Sequence, residues 1–181
     1  MQVRRVVTGQ REDGRSVFVS DERVDPVTLR MLPGAEFHRM WASDAPVSLP
    51  TDGAASPAPS YFPPSGGYRF ALFTIGPDEA TVPPDLDLAA ALAEMAEKLP
   101  GLGEAFEPDS PGMHTTDTVD FDVVLSGEVW LELDDGAEVH LRPGDCVVQN
   151  GTRHAWRNKS TQPCTVAVVL LGTSRAGGGE A

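Results

Sequence analysis

Cysteine is nearly absent from this chain, with two residues in 181, Cys146 and Cys164. Both fall in stretches that read as strands, and no secretion signal precedes them. A disulfide framework is therefore not expected, and both are read as buried thiols acting as small apolar side chains. Positive charge is scarce too. Lys and Arg number 14 against 27 Asp and Glu, a formal charge of -13, which repels phosphate backbones and anionic headgroups and argues against nucleic acid and membranes as partners. Long apolar runs are missing, since nothing approaches the roughly 20 residues a spanning helix requires. The opening MQVRRVVTGQ carries charge without an apolar segment behind it. The expectation is a soluble, cytoplasmic protein with one core plus an N-terminal elaboration.

What is present is mostly strand. Val3 to Thr8 and Ser16 to Ser20 flank an Asp13-Gly14 turn and read as a hairpin, and Glu36 to Trp41 reads as a third strand. From 43 to 67 prolines at 46, 50, 57, 59, 63 and 64 forbid regular pairing. This long loop is expected to act as a lid, with a partner-binding arm as the other reading. Tyr68 to Ile75 alternates as a strand. Asp87 to Leu99 then carries Leu88, Leu92, Met95 and Leu99 at helical spacing, which predicts one helix with that stripe turned to the core. From 113 onward six short strands follow, separated by Gly, Asp, Asn and Pro turns, which argues for an antiparallel sandwich or small barrel. The end, 173–181, reads as a disordered tail.

Residues 112–172 hold the chemistry. His114, Asp120 and His154 fall on closely spaced short strands, and two imidazoles with one carboxylate are the minimum set that holds a divalent metal by one face. Side chains two apart on a strand share a face. Asp122 and Val124 therefore accompany Asp120, and Trp156 accompanies His154, unless a bulge turns Asp122 outward. Two acids beside imidazoles suit general acid-base work. His140 reads as a rim histidine, His38 as half-buried, and Arg153 and Arg157 as outward-facing, with Arg69 or Arg153 able to attract a carboxylate ligand.

The same residues resemble the cupin superfamily. Its first motif reads HxH, three or four residues, Glu, six residues, Gly; here His114, Asp120 and Gly127 match. Its second motif is matched by Gly144, Gly151, His154 and Asn158. Thr116 stands where the second His would be, Asp120 replaces Glu, and Gln149 replaces the Pro of PxG. The resemblance implies an all-β fold, a double-stranded β-helix or jelly-roll barrel with one helix and an N-terminal β extension. It divides the chain into 1–111 packed on the barrel, the cupin core 112–172 and the tail.

The resemblance also implies a small organic ligand, acidic or enolisable, held in a pocket with Thr116, Val124, Gln149 and Trp156. A divalent transition metal, Fe, Zn, Mn or Ni, would sit at His114, Asp120 and His154, while Asp122 or Asp117 moves protons, as in an oxygenase, decarboxylase, isomerase or cyclase. The alternative is a metal-free, non-catalytic binding or sensory module. By analogy with cupins a homodimer is expected, through the N-terminal hairpin and Trp130.

Overall fold

The computed structural model describes residues 2–80 and 82–176. The apolar run CTVAVVLLG forms β10 (Cys164–Gly172), the middle strand of a five-stranded antiparallel sheet. Around it lie β3 (Glu36–Ser43), β4 (Tyr68–Ile75), β5 (Thr118–Ser126) and β8 (Cys146–Asn150), in the order β3-β4-β10-β5-β8. A smaller sheet holds β6 (Val129–Glu132) between β7 (Glu138–Leu141) and β9 (Ala155–Arg157). Val124, Cys164 and Val166 from the first sheet meet Val129, Leu131 and Leu141 from the second in one buried cluster. The result is an all-β jelly-roll barrel. The turn into β6 needs glycine, because Gly127 has φ 73° and a Cβ there would lie 2.4 Å from the Pro163 carbonyl oxygen.

The N-terminal hairpin forms as expected, β1 (Val3–Gln10) against β2 (Ser16–Val24), turning at Gly14 with φ 82°. Val3 and Val24 pack on Met40, Leu72 and Ala167 of the larger sheet. Because β3 and β4 belong to that sheet, the barrel draws on residues well before 112. His38 on β3 is fully buried rather than half-buried. Among the described residues no helix is long and apolar enough to cross a membrane.

The expected helix is α1 (Leu88–Lys98), capped by the Asp87 carboxylate accepting from Ala90 N–H at 3.0 Å. Its buried face differs from the expected stripe. Ala91, Met95 and Leu99 are buried at a spacing of four, whereas Leu88 and Leu92 are 60% and 49% exposed. Met95 and Leu99 pack in one cluster with Leu29 and Tyr61, Ala91 is buried in line with them, and Leu88 and Leu92 lie off that line. A second short helix, α2 (Leu102–Ala105), follows directly.

The Pro-rich segment is tied down at several points. Gln10 N–H donates to Thr51 O, Tyr61 N–H to Pro100 O, and Gly66 N–H to Gly172 O at 3.0 Å. Arg69 beneath it donates to the carbonyls of Ser43, Ser60 and Phe62 and pairs with Asp44 at 2.6 Å. These bonds make the segment's ends packed structure, not a free arm. Cys164 is buried as expected, but Cys146 is exposed because it occupies the outward parity of β8. Of the expected tail, Thr173 and Arg175 bond to Asp117 and its neighbours, and 177–181 lie outside the described residues.

Leu99→Ala is expected to lower stability by about 2–5 kcal/mol through a core cavity, and Leu92→Ala by less than about 0.5 kcal/mol. Denaturant unfolding of both variants checks this, and equal losses would restore the four-residue leucine-methionine stripe.

Candidate functional site

Two backbone hydrogen bonds set the site. His114 N–H donates to His154 O at 2.9 Å and His154 N–H returns to His114 O at 3.0 Å, joining the approach to β5 with the approach to β9. The imidazole centroids lie 4.2 Å apart, tilted by 50°. Each ring is also oriented by a carbonyl close in sequence. Nδ1 of His114 meets Gly112 O at 3.0 Å and Nδ1 of His154 meets Thr152 O at 2.9 Å. A carbonyl only accepts, so each Nδ1 carries the proton and each Nε2 keeps a lone pair.

Strand parity supplies the carboxylates. On β5 Thr118, Asp120, Asp122 and Val124 are all buried, while Phe121 and Val123 on the other face are exposed. Asp122 is therefore inward, with no bulge at that point, since Asp120 and Asp122 pair in register with Gln149 and Val147 of β8. Asp120 Oδ1 and Asp122 Oδ2 have no hydrogen-bond partner. The hydroxyls of Thr116 and Thr118 share a bond of 2.8 Å.

These groups line a cavity of about 330 Å³. His114, Thr116, Asp120, Asp122, His154 and Trp156 form its polar end. Its apolar walls include Phe37, Tyr61, Phe62, Phe73 and Phe106. Phe106 stands edge-on to His114 at 5.3 Å and Phe73 edge-on to Trp156 at 5.9 Å. No Lys or Arg is among the described lining residues. Arg69 is engaged as above, and Arg153 is held by Glu107 at 2.7 Å and Asp134 at 2.8 Å. Neither cation serves the pocket, which removes the attraction expected for an acidic ligand.

Burial sets the protonation. It pushes the Asp120 carboxyl up to about 6, against the Thr118 hydrogen bond. It pushes Asp122 up to about 7, with the charge of Asp120 as a second cause. Burial also lowers both imidazoles, His154 to about 4 with His114 as the second cause. Near neutral pH the floor holds two neutral imidazoles and two carboxyls that share protons readily.

Several expected site residues lie elsewhere. Asp117 precedes β5, is exposed, and pairs with Arg175 outside the cavity. Val124 shares the parity of Asp120 but sits deeper, in the apolar cluster between the sheets. Gln149 is buried and donates weakly to Thr152 O at 3.4 Å, and it is not on the cavity wall. Among the described residues, no three His, Cys, Asp or Glu side chains form a group that could hold a metal ion. His114 and His154 approach each other, and one oxygen of Asp120 is left without a hydrogen-bond partner. The donors are therefore of the right chemical type for a metal but do not compose the expected three-ligand set. Tyr61 and Phe106 sit in irregular segments, where no periodicity announced them. Tyr61-Phe62 beside Pro63-Pro64 was the only local signal.

A protein-family model described as Cupin domain matches residues 104–170. Phomopsin biosynthesis cluster protein C' of Diaporthe leptostromiformis is 40% identical over 81 residues, 44% of this chain and 39% of that protein. A cupin-domain-containing oxidoreductase, fogC, of Aspergillus ruber is 34% identical over 84 residues, 45% of this chain and 38% of that protein. The solved structure of the polyketide cyclase RemF from Streptomyces resistomycificus matches with a TM-score of 0.45 at 16% identity, over 81% of this chain and 72% of that one. The chain thus spans no more than 39% of the length of either fungal relative.

The raised carboxyls give a sign to the pH dependence. The folded chain binds protons at Asp120 and Asp122 more tightly than the unfolded chain does, so their contribution to stability falls as pH rises from about 4 to 7. Asp122→Asn removes part of this penalty. It is expected to be more stable than wild type by about 1 kcal/mol or more at pH 8, with the gain shrinking toward pH 5. Urea unfolding across that range checks it, and a gain independent of pH would contradict a buried, proton-binding Asp122.

Proposed function

The chain belongs to the cupin superfamily through its domain at residues 104–170, and from that premise we propose that the barrel binds a small, largely apolar organic molecule and moves a proton on it. The observation that carries this is the pair Asp120 and Asp122, buried on one face of β5 with unpartnered oxygens opening on an aromatic cavity. A carboxyl pair held near neutrality exchanges a proton at little cost, which is what general acid-base catalysis requires. Asp122 is the proton acceptor and donor. Asp120, held by Thr118, keeps the pair from ionising together. His114 and His154, neutral and fixed through Nδ1, present Nε2 acceptors that orient a hydroxyl or N–H of the ligand. Phe62, Phe73 and Trp156 exclude water and grip the apolar body. A metal, if bound by the two imidazoles, would supply Lewis acidity, but no step depends on one.

Relatives named as biosynthesis cluster proteins support a role in making small molecules, and the size and lining of the cavity suit such a substrate. The enolisable class fits this reading and the acidic class does not, because the cavity brings no cation to a carboxylate.

The test uses 2-indanone, a neutral enolisable ketone of suitable size whose enol presents the hydroxyl that the Nε2 acceptors hold, in D2O. Exchange of its α-protons is expected to be accelerated by the protein, to survive exhaustive chelation, and to fall about 100-fold in Asp122→Asn. Protein purified without chelator or nickel resin is expected to hold less than about a tenth of an equivalent of transition metal. Exchange that is unaffected by Asp122→Asn, or that disappears on chelation, would overturn the proposal.

A further inference from the structure

Hydrogen-bond accounting at the polar end of the cavity is one-sided. The hydroxyls of Thr116 and Thr118 are bonded to each other at 2.8 Å, which spends one of their two protons. Each imidazole has given its N–H to a backbone carbonyl. What remains, once both carboxyls are ionised above about pH 7, are mainly acceptors, namely Asp120 Oδ1, Asp122 Oδ2 and the two Nε2 lone pairs. Buried polar atoms are rarely left without partners, and a floor of acceptors calls for a ligand of donors. Only Tyr61 and Trp156 bring further side-chain donors to the described lining besides the threonines, and neither is bonded to these atoms.

Three kinds of occupant could answer these lone pairs. A polyol is ill-suited to walls made of Phe37, Phe62, Phe73 and Phe106. A metal ion finds no three-residue group among the described residues. An organic ammonium satisfies the rest: up to three N–H donors for the carboxyl and imidazole acceptors, a positive charge where two acids lack a cation, and aromatic faces that attract cations. A formal charge of -13 over the chain further favours the arrival of a cation.

We infer that the ligand of this barrel is a primary amine carried on an apolar or aromatic body, its ammonium seated between Asp120, Asp122 and the two motif histidines. This rests on the proposed reading of the same cavity as a ligand pocket. The ammonium is held by the acceptor floor while the body lies against Phe62, Phe73 and Trp156, so the cavity distinguishes an amine from the matching alcohol or acid by charge and by the number of its N–H donors.

The experiment compares three probes of equal size, phenethylammonium, 2-phenylethanol and phenylacetate, by calorimetry at pH 8 on the full chain. Phenethylammonium is expected to bind at least about 10-fold more tightly than 2-phenylethanol, with phenylacetate weaker still, and to displace 2-indanone. Asp120→Asn and Asp122→Asn, checked for retained fold by circular dichroism, are expected to erase the preference. The wild-type comparison stands by itself if either variant misfolds. Equal affinity for amine and alcohol would overturn the inference, as would Zn2+ alone binding the site and excluding the amine. If the preference fails while 2-indanone exchange persists, only the amine assignment falls. If exchange fails while the preference holds, the pocket binds amines without moving protons.

Discussion

The mutual backbone hydrogen bonds between His114 and His154 are the constraint on which the site depends. They bring together two segments that lie 40 residues apart and lead into strands of different sheets. The two imidazoles are neutral, so no ion pair draws them to a centroid distance of 4.2 Å, and the backbone bonds fix a spacing that weak ring contacts would leave loose. The backbone pair fixes the approach, and the carbonyls of Gly112 and Thr152 fix the rotation and tautomer of each ring. Once that corner is set, β5 enters the barrel with its parity determined. Asp120 and Asp122 then face inward whether or not burial suits them.

Burial does not suit them, and this is informative. Taking two carboxyls out of water with no cation nearby raises both pKa values and leaves two oxygens unpaired. The penalty is tolerated because the barrel is stabilised elsewhere. Val124, only two residues along the same face, is already inside the apolar cluster that joins the sheets, and Asn158, fully buried, ties Ile75 O and Gln162 O below the site. An under-satisfied polar floor set against an apolar frame is the pattern expected where stability has been given up for a site.

Much of this was legible in the sequence, and the boundary of legibility is physical. Period-two alternation reported the face of Asp120, Asp122, His154 and Trp156 correctly, because one buried face pins a strand's register. It could not report depth. Val124 and Gln149 share the inward parity but lie past the cavity wall, and distance along a barrel is set by packing between sheets. Asp117 lies just outside β5, where direction is governed by a long-range partner, Arg175. Met95 and Leu99 of the α1 stripe are buried as expected, whereas Leu88 and Leu92 are not, because the buried line runs through Ala91, a small residue that weighs little in a periodicity. The trio of ligand types was readable, but whether three donors converge depends on angles that spacing does not contain.

The division of labour in the cavity follows from the same logic. The acceptors sit on or beside paired strands, where neighbours on both sides fix their position. Tyr61, Phe62 and Phe106 come from irregular chain that rests on the barrel through bonds such as Tyr61 N–H to Pro100 O. Changes in those irregular segments can reshape the space offered to a ligand's body without disturbing the register of β5 or the bridge between the histidines. On the proposed reading, recognition of the apolar body and handling of the polar head are therefore separable in this fold. A substitution at Phe62 should alter which body fits, and a substitution at Asp122 should alter what the head can be.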